Sequence, residues 1–276
     1  MASLREIKKR IRSAQNIGKV TKALQMISAV RMRKAQTDAL LSRPYATELV
    51  DTLRQLPKVD VQNGLLQTND ATRQLLIIVA PDRGLAGSLI TNLYRSVARW
   101  SKDKPVDAVT VGKKAMSIAL RSRLALKADY PAREFESLAN NVVDQYRAGE
   151  YSSVWIAYSR FVNTMTQQPE TIQFLPVNLA QVMGDQPQSG GHAIYTFEPN
   201  PGEVLQYVLT EYLKSTLSQI LKDAAAAEHS ARFVAMKNAH DNAESIVKDY
   251  NLQYNKTRQE KITNDISDIA SATLFG

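Results

Sequence analysis

Apolar residues recur every three or four positions at both ends of the chain, whereas its middle carries short apolar runs. Near the N-terminus they stand at Leu4, Ile7, Ile11, Ala14, Ile17, Val20, Leu24, Ile27 and Val30. This spacing predicts an amphipathic helix with one apolar stripe, and most basic residues lie off that stripe. The pattern continues past Pro44 to near Pro57, and about 55 helical residues would extend roughly 80 Å.

The C-terminal segment has no glycine or proline from Glu203 to Phe275. Its periodic positions are Leu205, Val208, Tyr212, Thr216, Ile220, Ala224, Ala227, Ala231 and Val234, then Ile262, Ile266, Ile269 and Thr273. If fully helical, this segment would extend roughly 110 Å. We therefore predict that the two terminal helices pair as a long antiparallel coiled coil, with a seam rich in Ala, Thr and Tyr.

The middle of the chain reads as alternating strands and helices. Glycine and proline are concentrated between Pro44 and Gly202, which marks a region of many turns. Apolar runs predict strands at 75–80, 106–111, 154–158 and 171–175, and helices are expected at 88–100, 113–120 and 140–148. Such alternation predicts a central Rossmann-like α/β domain. The expected divisions are an N-terminal helix at 1–56, the α/β domain at 70–195 and a C-terminal helix at 203–276.

Composition excludes several kinds of site. The chain has no cysteine, which rules out disulfides, thiolate metal sites and a cysteine nucleophile. Its three histidines are too scattered for a zinc site, and His229 and His240 are expected at solvated helix positions. No apolar run approaches the roughly 20 residues that a membrane-spanning helix needs. We expect no catalytic residue, no metal and no cofactor.

The net charge of +8 is concentrated near the N-terminus, where residues 1–43 hold eleven Lys or Arg and only two acids. This basic helix has three interpretations: a solvated surface, a nucleic-acid-binding arm, or a surface for an acidic protein partner. Single-strand binding is disfavoured because aromatic residues are not interleaved with the basic ones. A nucleic-acid-binding protein would bind DNA or RNA with a steep dependence on salt.

One motif follows the first predicted strand directly, P-D-R-G-L-A-G at 81–87. Phosphate sites form where a strand passes through a glycine loop into a helix. However, neither the Gly-Lys-Ser/Thr ending of a P-loop nor the G-x-G-x-x-G pattern is present. We interpret the motif as a structural turn, in which Asp82 and Arg83 pair or cap locally. An α/β nucleotide enzyme remains the alternative for this loop.

Four stretches in order resemble the γ subunits of the F-type rotary ATP synthases, and the likeness covers nearly the whole chain. They are the N-terminal stretch at 4–36 (beginning L-R-E-I-K-K-R-I), D-R-G-L-A-G at 82–87, and two C-terminal stretches, A-R-F-V-A-M-K-N-A-H-D-N-A at 231–243 and Y-N-K-T-R-Q-E-K-I-T-N-D-I at 254–266. Ala86 stands where the family commonly has cysteine. The resemblance is specific because the motifs occur in the family's order on the expected elements.

The resemblance implies a mechanical role without bond chemistry. In that family the terminal helices form the central rotor shaft inside a ring of three α and three β subunits. The α/β domain sits beside the ε subunit and on the rotor ring of c subunits. Proton flow, or sodium flow in some organisms, turns the rotor, and the shaft couples rotation to ATP synthesis or hydrolysis. The alternative from the residues alone is a basic-helix nucleic-acid-binding protein.

The resemblance also implies contact residues. The "catch" loop of one β subunit is expected to meet Arg258, Gln259, Thr263 and Met26, with Met26 close to the Arg–Gln pair. A basic track facing β is expected at Arg31, Arg33 and Lys34. Contact with the rotor ring is expected at Phe197 and Glu198, where tyrosine is common in place of Phe197.

Two departures inform the expected setting. The absence of cysteine excludes the thiol regulation of chloroplast-type relatives, which carry two cysteines in an insertion. No transit peptide precedes the first helix, which favours a bacterial chain. We expect it peripheral on the cytoplasmic face of the bacterial inner membrane, with the mitochondrial matrix side as the alternative.

Overall fold

Two long helices, a five-stranded sheet and several shorter helices form the part of the chain that the structure describes. The computed structural model describes residues 3–55, 64–183, 198 and 200–274. Helix α1 runs over Leu4–Gln55 and the last helix, α6, over Pro201–Leu274. The chain divides into two compact units, one formed by residues up to Ala29 together with those from Arg232 onward, the other by 30–231. Among the described residues, no helix is long and apolar enough to cross a membrane.

The second unit contains the sheet, whose strand order is β3-β2-β1-β4-β5. Its strands are β1 Gln74–Val79, β2 Val106–Val111, β3 Ala125–Tyr130, β4 Ser153–Phe161 and β5 Gln167–Leu175. The first four are parallel, and β5 is antiparallel to β4. The intervening helices are α2 Leu89–Trp100, α3 Lys113–Arg121, α4 Phe135–Arg147 and α5 Leu179–Met183. The predicted α/β fold with long terminal helices is confirmed.

Strand β3 is absent from the sequence-based prediction. It lies at the edge of the sheet, and its side chains alternate between exposed and half-buried. Edge strands therefore lack the continuous apolar run that reveals a buried strand. The signal was present as a two-residue alternation, with Leu126, Ala128 and Tyr130 turned inward.

Strand β1 is buried on both faces, which explains its unbroken apolar sequence. Leu76 and Ile78 pack with residues of α2 and α3, such as Leu93 and Ile118. Leu75 and Ile77 belong to a larger core on the other face, which includes Leu53 of α1, Val142 of α4 and Leu209, Leu213 and Leu217 of α6. The first turns of α6 thus help to form the core of the sheet unit.

Helix α6 begins at a side-chain cap. The Asn200 side-chain oxygen accepts a hydrogen bond from the Glu203 backbone N–H at 2.9 Å, and its amide nitrogen donates to the Glu203 carboxylate at 2.7 Å. This is an asparagine N-cap, reinforced by a bond between the two side chains and followed by proline at the first helical residue. All nine periodic positions predicted from Leu205 to Val234 are buried or half-buried, which confirms that part of the pattern.

Tyr146 provides a test of this core at alkaline pH. The side chain is fully buried, and its hydroxyl donates to the Gln67 carbonyl at 2.7 Å. Burial raises the pKa of Tyr146 from 10.0 to about 12. Its contribution to stability is therefore complete below pH 10.0 and is lost as the pH rises towards about 12, because the unfolded chain ionises first.

We expect Tyr146→Phe to reduce this loss of stability between pH 10 and 12. Near neutral pH the variant should be less stable by about 1 kcal/mol, since one hydrogen bond is lost. Urea unfolding of both proteins at a series of pH values from 8 to 12 measures the effect. Parallel pH curves for the two proteins would show that Tyr146 does not carry the alkaline transition.

Candidate functional site

The first unit is an antiparallel pair of helix segments. His240 Nδ1 of α6 lies 3.0 Å from the Gly18 carbonyl oxygen of α1, and the Arg10 guanidinium lies 5.9 Å from the centre of the Tyr250 ring. Residue numbers thus rise along one helix as they fall along the other. The predicted antiparallel pairing is confirmed in this unit.

The seam between these helices repeats every seven residues. On α1 the buried or half-buried positions, spaced alternately by four and three, are Ile7, Ile11, Ala14, Gly18, Thr21, Gln25 and Ser28. On α6 the matching positions are Met236, His240, Ala243, Val247, Tyr250, Tyr254 and Thr257. This is the spacing of a left-handed coiled coil. Few of these side chains are large and aliphatic, so the seam buries little apolar surface.

Beyond Ala14 the apolar stripe predicted on α1 is wrong at four of its five positions, and only Leu24 is half-buried. Ile17, Val20 and Ile27 are 53%, 59% and 49% exposed, and Val30 of the second unit is also exposed. The prediction assigned all periodic apolar residues to one buried stripe. A single partner helix covers only the narrow seam whose positions repeat every seven residues. Near the end of α6, Ile262, Ile266 and Ile269 are exposed as well.

These exposed apolar residues form a surface with mixed chemistry. Ile17, Val20 and Ile27 are spaced to share one face of α1, and contiguous apolar surface of this kind marks an interaction site. The same segment exposes the basic residues Arg5, Lys8, Lys9, Arg12, Lys19 and Lys22. Such a surface suits a macromolecular partner that offers both apolar and acidic groups.

A groove of about 790 Å³ runs between the two helices. Its walls include Lys19, Met26, His240, Ala243 and Lys248. The prediction of a solvated His240 is wrong, because only 17% of its side chain is exposed and its ring faces α1. A histidine on a helix is indistinguishable from a surface residue until the seam register is known.

The predicted catch residues lie near the end of α6. Arg258, Gln259 and Thr263 are all exposed, and the Thr263 hydroxyl donates to the Gln259 carbonyl at 3.0 Å. That bond lies within the helix and leaves the Arg258 and Gln259 side chains turned towards solvent. Their contact with a β subunit stays a prediction.

The structure does not bring Met26 together with the Arg–Gln pair. Met26 is 61% exposed and lines the groove that also contains His240 and Ala243. Arg258 lies eighteen residues beyond His240 on α6, which corresponds to about 27 Å along the helix. A partner loop that touches Arg258 would therefore meet Met26 only through a separate contact.

The three residues of the predicted basic track are exposed on α1, in the second unit. Arg31 and Lys34 are three residues apart and share a face. Arg33 is two residues from Arg31, or about 200° around the helix, and points to a different side. A single flat partner surface therefore meets Arg31 and Lys34 but not Arg33.

The predicted rotor-ring pair is described only in part. Glu198 is exposed, close to the cap at the start of α6. Phe197 lies outside the described residues, so its predicted contact stays a prediction.

The P-D-R-G-L-A-G loop joins β1 to α2 and serves the fold. Asp82 accepts a hydrogen bond from the Lys113 backbone N–H at 3.0 Å and so caps α3. Leu85 and Gly87 both adopt positive φ, at 63° and 57°, which shapes the turn. Asp82 therefore acts as a cap, but on α3, 31 residues away, and not locally as predicted.

The cavity beside this loop is small. It has a volume of about 90 Å³ and is closed on one side by Leu221, Ala224 and Ala225 of α6. Pockets for small molecules usually have about 300–1,000 Å³. A nucleotide does not fit this cavity, and the geometry favours a structural turn over the nucleotide-enzyme alternative.

Comparison with known proteins gives a consistent result over nearly the full chain. A family model described as ATP synthase matches residues 3–273. The chain is 40% identical to the ATP synthase gamma chain of Roseiflexus castenholzii, over 98% of this chain and 97% of that one. It is 38% identical to the ATP synthase gamma chain of Glaesserella parasuis, over 98% of both.

Solved structures share the fold. The rotor of the Euglena gracilis mitochondrial ATP synthase is similar with a TM-score of 0.65 and 18% identity, over 94% of this chain and 98% of that one. The central stalk of the Tetrahymena thermophila mitochondrial enzyme is similar with a TM-score of 0.60 and 22% identity, over 80% and 99%.

Proposed function

The chain belongs to the family of ATP synthase gamma chains, and from that premise we propose that it is the central rotor shaft of an F-type ATP synthase. The near full-length match to gamma chains carries this proposal. The chain is a non-catalytic subunit and couples rotation to ATP synthesis or hydrolysis on other subunits. Nothing in the comparisons supports the nucleic-acid-binding alternative.

The thin seam fits this role. A stable isolated coiled coil normally buries large aliphatic residues at its seam positions, whereas this one places Ala14, Gly18 and Ala243 there. Meanwhile Ile17, Val20 and Ile27 stay exposed on the outside of the pair. We infer that the surrounding ring of α and β subunits covers this surface and helps to hold the helices together.

The exposed basic residues of α1 suit a partner surface that moves past them during rotation. The basic residues of α1 are solvent-exposed and spread along the helix rather than gathered at one point. Exposed ion pairs contribute at most about 1 kcal/mol each, so none of them would lock a single angle of rotation. We propose that Arg31 and Lys34 face acidic surfaces of β, and that Arg258 and Gln259, supported by Thr263, meet the catch loop of one β subunit.

The chain is part of a membrane-associated complex, as its family membership implies. We propose that it reaches the membrane only through other rotor subunits, with Phe197 and Glu198 near the c-ring and the ε subunit beside the sheet unit. For a bacterial enzyme this places it at the cytoplasmic face of the plasma membrane.

A pull-down from the membranes of its own cells tests the proposal. An affinity tag inserted at the exposed turn around Asp103 keeps both terminal helices unmodified. After mild detergent extraction we expect an ATP-hydrolysing complex with one copy of this chain for three copies each of two larger chains. Recovery of the chain alone, or with nucleic acid, would contradict the proposal.

A further inference from the structure

The two helices approach each other closely at Gly18, a seam position without a side chain. Gly18 of α1 faces Ala243 and His240 of α6, and a Cβ built on Gly18 would lie 3.7 Å from the Ala243 Cβ. Ala14, one seam position earlier, lines the same groove. The backbone of α1 is thereby open to a side chain from the opposite helix.

His240 uses this opening to reach the backbone. Its Nδ1 lies 3.0 Å from the Gly18 carbonyl oxygen. A carbonyl only accepts, so the Nδ1–H donates. The Thr21 hydroxyl lies 2.9 Å from the Ile17 carbonyl oxygen and 3.1 Å from the Gly18 oxygen, so its one hydrogen is shared between them. Glu244 Oε1 lies 3.5 Å from the other ring nitrogen, on the exposed side. The bond to the Gly18 carbonyl therefore holds the ring between the two helices.

We propose that His240 is a positioning residue that fixes the axial register of α1 against α6. A seam of small and polar residues discriminates weakly between registers, because a shift of seven residues again places seam positions opposite one another. Such a shift moves one helix by about 10 Å along the other. A buried polar group at a seam position is a known means of specifying register in coiled coils.

The energetic argument depends on the cost of an unmatched donor. In the observed register the imidazole N–H has a partner. In a shifted register the same group faces another part of α1, and a buried donor without a partner costs about 1–3 kcal/mol. A Cβ at position 18 would lie 3.7 Å from His240 Nδ1, which is ordinary van der Waals contact, so a small side chain there is compatible with the bond to the main-chain oxygen. This inference concerns the helix pair itself and does not depend on the proposed function.

Engineered disulfides in the full-length chain can read the register, since the natural chain has no cysteine. Gly18→Cys with Ala243→Cys reports the observed register, because the 3.7 Å separation of the two Cβ positions suits a disulfide. Gly18→Cys with Met236→Cys or with Tyr250→Cys reports shifts of one seven-residue repeat in either direction. Mild oxidation followed by non-reducing electrophoresis gives the ratio of in-register to shifted cross-links.

The matched variants are His240→Asn and His240→Leu. Asparagine keeps a side-chain N–H donor near the place of Nδ1, whereas leucine has nearly the same shape and no donor. We expect the Asn variant to retain the ratio of the parent within about twofold, and the Leu variant to lower it by roughly tenfold, the factor that 1.4 kcal/mol represents. Helix content by circular dichroism is measured alongside.

The outcomes separate a register lock from simple packing. A ratio that falls in the Leu variant and not in the Asn variant, with a gain in shifted cross-links, supports the proposal. Loss of the in-register cross-link without a gain in shifted cross-links shows reduced pairing and overturns a role in register. Equal ratios in the two variants overturn it, whether both are high or both are low, because the donor would then make no difference.

Discussion

Gly112→Ala should unfold the sheet unit, with an expected loss of about 4 kcal/mol or more, which is exceptional for a single substitution. Gly112 ends β2 and precedes α3 with a φ of +91°. An L-residue in such a backbone conformation costs about 1–3 kcal/mol. In addition, a Cβ at this position would overlap the Ala80 carbonyl oxygen of the neighbouring strand. Both residues lie directly beyond the ends of β1 and β2, where the Ala80 N–H donates to the Val111 carbonyl and the Lys114 N–H to the Pro81 carbonyl, each at 3.0 Å, so this backbone has little room to move aside.

The two tryptophans make this measurement specific for the sheet unit. Trp100 and Trp155 both belong to that unit, with ring centres 5.3 Å apart, and they are the only tryptophans in the chain. Their fluorescence during urea unfolding therefore follows the unit that contains Gly112. The terminal parts of the long helices do not contribute to the signal.

Gly149→Ala is the matched control for the same measurement. Gly149 also has a positive φ, +74°, but a Cβ built there would have no neighbour within 4 Å. It should cost only about 1–2 kcal/mol, the price of the left-handed conformation alone. Similar losses of stability for the two alanine variants would show that the protein relieves the overlap with Ala80, and would contradict the steric argument for Gly112.

The second large effect is expected for Arg258→Ala, which should impair the coupling of rotation to ATP turnover and leave folding intact. Arg258 is exposed near the end of α6, so its truncation removes little packing. A hydrogen bond from a charged group to a partner subunit is among the stronger polar contacts, and its loss should lower ATP-driven turnover of the assembled complex roughly tenfold. The same preparation should contain as much assembled complex as the parent.

Lys256→Ala serves as the control for this experiment. Lys256 is also exposed and basic, and it lies two residues away, on a different side of the helix. Its removal should change turnover less than twofold. Equal losses of assembly and turnover in the Arg258 variant, or equal effects of the two substitutions, would contradict a specific contact at Arg258.

The sequence revealed the fold more readily than the surface. The strands next to the centre of the sheet have apolar runs because both their faces are buried, and the terminal helices lack breakers over long stretches. Strand β3 has one solvated edge, so its signal was weaker. The capping of α3 by Asp82 joins groups 31 residues apart, and no local pattern encodes such a contact.

The helix pair shows why apolar periodicity alone assigned exposed residues to the buried stripe of α1. Ile17 and Val20 fit a helical stripe as well as Ile7 and Ile11 do. Only the seven-residue seam shared with α6 separates the buried pair from the exposed one. In a chain that is surrounded by other subunits, some apolar residues pack within the chain and others contact the partners. The periodicity of the sequence does not show which residues belong to which interface. Met26 and His240 were misplaced for the same reason, since the register between helices was unknown.

Rotation of the sheet unit relative to the surrounding ring tests the central claim most directly. The chain has no natural cysteine, so Lys102→Cys, at an exposed position, gives a single attachment point for a visible probe. With the purified complex immobilised through its ring, our account predicts that added ATP drives the probe round in one direction, in three equal steps per turn. ATP hydrolysis at a normal rate while the probe only fluctuates about a fixed angle would contradict it.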